Sequence, residues 1–208
     1  MKKYLALAVL ALLLGISPLA QAQISEAQQE EARTALEATI NQVLAELQKP
    51  DLHEPANRRA VLEKVEDIIA TLFSFDELSE RTVGQGWDEF TDDQKQRFIE
   101  AFRDLLRARY TNAFTGYNGG TVSFVKEAPL GQNTNLLQID TTVNLPDKSV
   151  PVNYRMILAD RWYVYDVVIE GVSMVQNYRS QFQSVLRRYG AEELIKTVEQ
   201  KAIETQAK

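Results

Sequence analysis

The chain has 208 residues, with 23 Lys and Arg against 29 Asp and Glu, a net charge of -6, one His and no Cys. That length suits one domain with a sizeable core. The acidic balance gives no general attraction to nucleic acid or anionic lipid surfaces, and the missing thiols exclude disulfides, thiolate chemistry and a cysteine-borne lipoprotein anchor.

The chain opens with Lys2 and Lys3, an apolar run from Leu5 to Ile16, and the small-x-small sequence Ala20-Gln21-Ala22. This pattern predicts an export signal over residues 1–22, cleaved to leave a mature start at Gln23 in the periplasm. The run is shorter than the ~20 residues that cross a bilayer. The remainder, 23–208, is expected to form one domain: a helical lobe over 24–116, a sheet over 121–170 and C-terminal helices over 172–203.

Ser25 to Gln48 reads as a helix capped by Ser25, with Leu36, Ile40, Val43, Leu44 and Leu47 on one face and Pro50 ending it. Arg58 to Phe73 repeats the pattern with Val61, Leu62, Val65, Ile68, Ile69 and Leu72. A short helix starts near Ser74 and stops at Gly84 and Gly86. Thr91-Asp92-Asp93-Gln94 is a capping box, with two acids placed well for the helix dipole. The helix that follows carries Phe98, Phe102, Leu105, Leu106, Tyr110, Ala113 and Phe114 on one broad face and closes at Gly116.

Four strands come next, at spacing that suits an antiparallel meander. Thr121 to Lys126 sets Val122 and Phe124 on one side, and Leu136 to Leu145 sets Leu137, Ile139, Thr141, Val143 and Leu145 on one side. Val150 to Leu158 presents Val150, Val152, Tyr154, Met156 and Leu158. A two-residue turn at Ala159-Asp160 would pair Met156 with Tyr163, Tyr154 with Tyr165, Val152 with Val167 and Val150 with Ile169, all on one apolar face. The opposite face would pair Asn153 with Asp166 and Arg155 with Val164, and would carry Trp162 and Ile157. A helix from about Val172 to Arg188 follows, with Val172, Val175, Tyr178, Phe182, Val185 and Leu186 inward. Gly190 separates it from a final helix bearing Leu194, Ile195 and Val198, polar enough to sit on the surface.

No catalytic or metal-binding constellation emerges. His53, between Asp51 and Glu54, reads as a solvated loop residue. One histidine and no cysteine leave no ordinary zinc set. Nucleophile elbow, Walker loop and dinucleotide fingerprint are all missing, and Gly84-Gln85-Gly86 follows no strand. Asp166 interrupts an apolar strand and has two readings: a general base beside a cavity on a small α+β fold, or a hydrogen-bonded group on the polar face near Asn153 and Arg155, which strand parity favours. Ser173 reads as a helix cap. Lys95, Arg97, Arg103, Arg107, Arg109, Arg179, Arg187 and Arg188 are interleaved with acids. They read as a solvated face or as a docking patch for an acidic partner or lipid headgroup.

The inward aromatic and apolar positions allow either a filled core or the lining of a cavity, and periodicity does not separate the two. A third reading is a periplasmic chaperone or adaptor that binds protein through its helical faces. Three stretches break the tie. Phe98-Ile99-Glu100-Ala101-Phe102-Arg103-Asp104-Leu105-Leu106, Ala128-Pro129-Leu130-Gly131, and Trp162-Tyr163-Val164-Tyr165-Asp166-Val167-Val168-Ile169-Glu170-Gly171-Val172-Ser173-Met174 resemble the MlaC family, the toluene-tolerance auxiliary proteins. The resemblance spans nearly all of the expected mature chain, with the Ala159-Asp160 turn shorter than in some members.

The resemblance implies an α+β fold: a four-stranded curved antiparallel sheet wrapped by about six or seven helices around an apolar cavity. It implies a non-enzymatic phospholipid carrier without cofactor, with the headgroup at the mouth. Its implied partners are an inner-membrane ABC transporter with an MCE-domain subunit and an outer-membrane lipoprotein–porin complex, between which lipid moves to maintain outer-membrane asymmetry. Nucleic acid is not expected as a partner, and the chain is expected to be a monomer. The strand and helix faces then supply the candidate lining. From the long helix come Leu105, Tyr110 and Phe114. From the strands come Val122, Phe124, Ile139, Val143, Val152, Tyr154, Met156, Tyr163, Tyr165, Val167 and Ile169. The late helix adds Val175, Tyr178 and Phe182. The energetics require such cover: two tails of about 16 carbons hold roughly 30 methylenes, and at about 0.8 kcal/mol each their exposure costs on the order of 24 kcal/mol.

Overall fold

The computed structural model describes residues 24–115, 117–132 and 135–206, with the side chains at 111–113 and 115 left aside. The expected leader over 1–22, its cleavage point at Gln23, the stop at Gly116 and the Ala113 side chain lie outside that description.

Capping chemistry sets the helix starts. Helix α1 (Glu26–Leu47) begins at a reciprocal capping box, with Ser25 and Gln28 each bonding the other's backbone N–H. After a 3-10 turn at Pro50–His53 comes α2 (Arg58–Leu72). Helix α3 (Phe75–Val83) is capped by Ser74, whose Oγ accepts from the Glu77 N–H at 3.2 Å. It stops at Gly84, whose φ of 71° suits glycine and where a Cβ would run into the Arg179 guanidinium. A second 3-10 stretch, Gly84–Glu89, leads to α4 (Asp92–Thr115), started by the Thr91–Gln94 capping box.

The sheet has five strands in sequential antiparallel order, not four: β1 (Thr121–Pro129), β2 (Leu136–Asn144), β3 (Ser149–Leu158), β4 (Trp162–Ile169) and β5 (Val172–Ser173). The fifth strand takes Val172 and Ser173 out of the expected helix. Glu170 and Gly171 both adopt positive φ, so the chain reverses at once and Ser173 pairs with Val168. Helix α5 (Met174–Gln206) therefore starts two residues late. It is broken at Gly190 (φ 82°, ψ -178°), which preserves the expected division into two helical segments. Among the described residues the α-helices number five, with two 3-10 stretches beside them, against the six or seven helices expected.

The last hairpin differs from the expected register. Its turn runs through Arg161, with the Ala159 N–H donating to the Arg161 carbonyl at 3.0 Å. Tyr154 faces Val167 and Val152 faces Ile169. A bulge between Arg155 and Met156 then leaves Tyr165 unpaired, so that Met156 faces Val164 and Leu158 faces Trp162. The consequence is a change of face. Trp162 and Val164, expected on the polar side, join the buried cluster formed by the sheet and α1, along with Leu137, Ile139 and Met156. Tyr163 and Tyr165, expected inward, do not join it. A second bulge in β1, between Phe124 and Lys126, pushes Val125 into solvent, 66% exposed.

Three apolar bodies result among the described residues. One is aromatic: Trp87, Phe90, Phe98, Phe102, Tyr178 and Phe182 pack α4 against α5 and α3, with ring centroids 5.0–6.0 Å apart. The segment after Gly190 belongs to this body. Leu194, Ile195 and Val198 are fully buried, which corrects the expected surface helix. A two-point ion pair from Arg97 to Glu192, at 2.9 and 3.0 Å, fastens that segment to α4. A second body is the sheet face under α1, tied at its edge by Arg33, which pairs with Glu127 at 2.9 Å and lies over the Phe124 ring. A third, smaller one joins the end of α1 to the first 3-10 turn and α2 through Leu47, Leu52, Val61 and Val65.

Candidate functional site

Between the sheet face and α1, α2 and α4 lies a pocket of about 450 Å³. Helix α1 contributes its whole predicted stripe, Leu36, Ile40, Val43, Leu44 and Leu47, together with Thr39. Helix α2 adds Leu62, Glu66, Ile69 and Leu72, followed by Phe73 and by Phe75 at the start of α3. Helix α4 supplies Arg103, Leu106, Arg107, Tyr110 and Phe114, spaced at three and four residues as neighbours on one helix face must be. Val122, Val143, Leu145, Val152, Tyr154, Val167 and Ile169 form the sheet wall, and Tyr117 and Met174 complete the lining. Such a wall gains from contact with hydrocarbon and offers few directed polar groups.

Eight of the expected lining residues meet here: Tyr110, Phe114, Val122, Val143, Val152, Tyr154, Val167 and Ile169. The other nine lie elsewhere. Leu105, Val175, Tyr178 and Phe182 are locked into the aromatic body. Ile139 and Met156 are fully buried within the sheet cluster, and Phe124 packs at its margin under Arg33. Tyr163 faces Ile157, donates its hydroxyl to Asp160 and lies against Arg161. Tyr165, displaced by the bulge, is covered by the Arg81 guanidinium 4.2 Å from its ring. The stripes of α1 and α2 were legible as apolar faces, but nothing in their spacing says that they border a void.

The polar lining is concentrated between α2 and α4. Arg107 Nε bonds Glu66 Oε2 at 2.7 Å and Nη1 lies 3.5 Å from Asp104, while the Arg103 guanidinium lies over the Phe75 ring at 5.1 Å. Glu66 and Arg107 keep 25% and 42% of their side chains exposed, so this group marks where the pocket meets water. Burial pushes the Glu66 carboxyl above its ordinary value, and the charges of Arg107 and Arg103 pull the other way. Deeper in, burial pushes the Tyr154 hydroxyl up to about 12, so that it is neutral at ordinary pH.

Asp166 is not in this lining. It is 1% exposed and accepts three hydrogen bonds: Ser173 Oγ–H at 2.6 Å, the Val175 N–H at 3.0 Å and Arg155 Nη1 at 3.1 Å. Ser173 in turn accepts from the Gln176 N–H at 3.1 Å, the cap expected of it. Asp166 thus holds the start of α5 on the sheet's second face, and its partner there is Arg155, not Asn153. His53 sits exposed in the 3-10 turn after α1. Among the described residues no group of His, Asp and Glu is placed to hold a metal ion, and no helix is long and apolar enough to cross a membrane.

The sequence profile of the family described as MlaC protein matches residues 37–200. The intermembrane phospholipid transport system binding protein MlaC of Haemophilus influenzae is 25% identical over 127 residues, which are 59% of this chain and 59% of that protein. The toluene tolerance protein ttg2D of Pseudomonas putida is 26% identical over 168 residues, 79% of this chain and 76% of its own length. A phospholipid-binding protein from Ralstonia solanacearum, solved in complex with a phospholipid, superposes with a TM-score of 0.77 at 25% identity and covers 86% of this chain and 99% of its own.

Proposed function

The chain belongs to the MlaC protein family, and from that premise we propose that it carries phospholipid, with the acyl chains in the pocket between the sheet and helices α1, α2 and α4. The observation that carries this reading is the pocket itself: about 450 Å³ walled mainly by aliphatic and aromatic side chains of α1, α2, α4 and four strands, with Phe75 of α3 and Met174 of α5. Its size falls among ligand sites, for which ~300–1,000 Å³ is usual. The phospholipid held by the Ralstonia solanacearum protein and the transport role in the name of the Haemophilus influenzae relative point the same way.

Tail binding of this kind is non-directional. It needs shape and low polarity, and it lets cargo leave because bilayer and pocket are both apolar. Catalysis has no part in the reading. The strongest acid-base candidate, Asp166, is occupied in holding Arg155, Ser173 and the start of α5. In the cell the proposed role is that of a periplasmic monomer, exported with loss of residues 1–22. It would pass lipid between an outer-membrane lipoprotein–porin complex and an inner-membrane ABC transporter with an MCE-domain subunit, and so maintain outer-membrane lipid asymmetry.

The test is direct. The mature protein is purified without detergent, its bound lipid is extracted and weighed by mass spectrometry, and the delipidated protein is offered labelled vesicles. Phospholipid at a fixed ratio to protein, taken up again from vesicles, is the expected result. Protein that carries none and takes up none refutes the proposal.

A further inference from the structure

The apolar wall does not account for the three charged side chains that interrupt it. Arg103, Arg107 and Glu66 are the ionised members of the lining, and all three come from the facing surfaces of α2 and α4. Two of them bear the same charge, so mutual neutralisation does not explain the group. Arg107 is committed to Glu66 at 2.7 Å and also reaches Asp104. Arg103 is held differently: its guanidinium lies over Phe75 at 5.1 Å, and among the described residues no carboxylate lies within ion-pair distance of it. A guanidinium fixed on a ring presents its N–H fork in a set plane, the arrangement suited to a phosphate. Glu66 keeps part of its surface in water while Arg107 holds it in place, and a carboxylate accepts from more than one donor. The rim of the pocket therefore offers a cation and an anion side by side.

We propose that Arg103 and Glu66, with Arg107 as the brace for Glu66, form a headgroup site for a zwitterionic, amine-bearing phospholipid, Arg103 taking the phosphate and Glu66 the ammonium. The inference rests on the reading of the pocket as the seat of the acyl chains. A headgroup with phosphate and ammonium a few bonds apart satisfies both partners at once. A glycerol headgroup gives Arg103 the same phosphate but offers Glu66 only neutral hydroxyl donors in place of the ammonium, a weaker, uncharged partner. Because the site is open to water, the discrimination is modest, on the order of two- to fivefold, the range of an exposed ion pair.

The experiment loads delipidated mature protein from vesicles containing equal amounts of phosphatidylethanolamine and phosphatidylglycerol with identical acyl chains, and reads the bound ratio by mass spectrometry. Wild type is expected to enrich the ethanolamine lipid about two- to fivefold. Glu66→Gln should bring the ratio of whatever lipid is retained toward one. Glu63→Gln, which alters the surface pair with Arg59 on the same helix, should leave the ratio at the wild-type value. Arg103→Gln should lower loading with both lipids. Excess phosphoethanolamine, which has the headgroup and no tails, should leave loaded lipid in place. Its displacement of lipid would mark the trio as a site for soluble phosphate compounds and overturn the headgroup assignment. Loading of both lipids at parity in wild type, or an unchanged ratio in Glu66→Gln, overturns this inference alone. Loading of neither overturns the carrier reading as well.

Discussion

Tyr154 and Val167 face each other across β3 and β4, and both line the pocket. An aspartate at either position would put a charge against hydrocarbon, which a tail site does not tolerate. Tyr154→Asp and Val167→Asp should each abolish lipid co-purification, and His53→Ala, at an exposed turn, should leave it intact. Lipid mass spectrometry reads the result, and near-UV circular dichroism of the same samples separates an emptied pocket from an unfolded chain. Phe98 shows the opposite case. It is fully buried among Trp87, Phe90, Phe102 and Phe182, away from the pocket. Phe98→Ala should cost about 3–5 kcal/mol in a denaturant titration while the surviving folded protein still binds lipid. Asp166 also belongs to stability. Asp166→Ala leaves Arg155 without its ion-pair partner and frees the first turn of α5, so a loss of about 3 kcal/mol is expected, read as a lower denaturation midpoint.

At the scale of elements, Gly190 gives the sharpest expectation. Its φ of 82° with ψ near 180° is a conformation open essentially to glycine, and no atom lies within 4 Å of where a Cβ would stand. Gly190→Ala therefore meets backbone strain alone, and should cost about 1–3 kcal/mol in a denaturant titration, with no clash to relieve. This break was legible because glycine between two apolar stripes is a strong local signal, as were the cap at Ser25 and the capping box at Thr91. The register of β3 and β4 was not. In Trp162-Tyr163-Val164-Tyr165 both parities are apolar or aromatic, so alternation gives no vote, and one bulge at Tyr165 was enough to exchange Tyr163 for Trp162 on the inner face. Helix α4 shows why only half of the expected lining converged. Its apolar face is broad enough to serve two bodies: Phe98, Phe102 and Leu105 enter the aromatic core, Leu106 and Tyr110 border both the core and the pocket, and Phe114 turns to the pocket. Periodicity reports that a side chain is turned from water. It does not report whether a side chain or a space stands opposite, so the α1 stripe reads from sequence only as an apolar face.

Across the whole molecule these elements divide into a packed side and a hollow side. The packed side is α3, α4 and α5, interlocked by aromatic rings and the Arg97–Glu192 ion pair. On the hollow side, Leu36 at the middle of α1 is buried against the sheet, but Ile40, Val43 and Leu44 keep some exposure, and Leu62 and Ile69 of α2 likewise border the pocket without full burial. A helix whose apolar face borders a void forfeits the contacts that would hold it, so α1 and α2 should open locally at lower free energy than α4 and α5. On the proposed reading, acyl chains seated in the pocket would supply the missing contacts. In amide hydrogen exchange, delipidated protein should exchange faster along α1 beyond Leu36 and along α2, and loading with phospholipid should slow those segments strongly while leaving α4 from Phe98 to Leu105 and α5 around Phe182 nearly unchanged. The loaded protein should also melt at a higher temperature, since a ligand that binds only the folded state stabilises it by mass action, by about 2.7 kcal/mol at one hundred times its dissociation constant. Equal protection of all five helices with and without lipid would contradict this division, because it would mean that α1 and α2 are already as fully packed as the aromatic core.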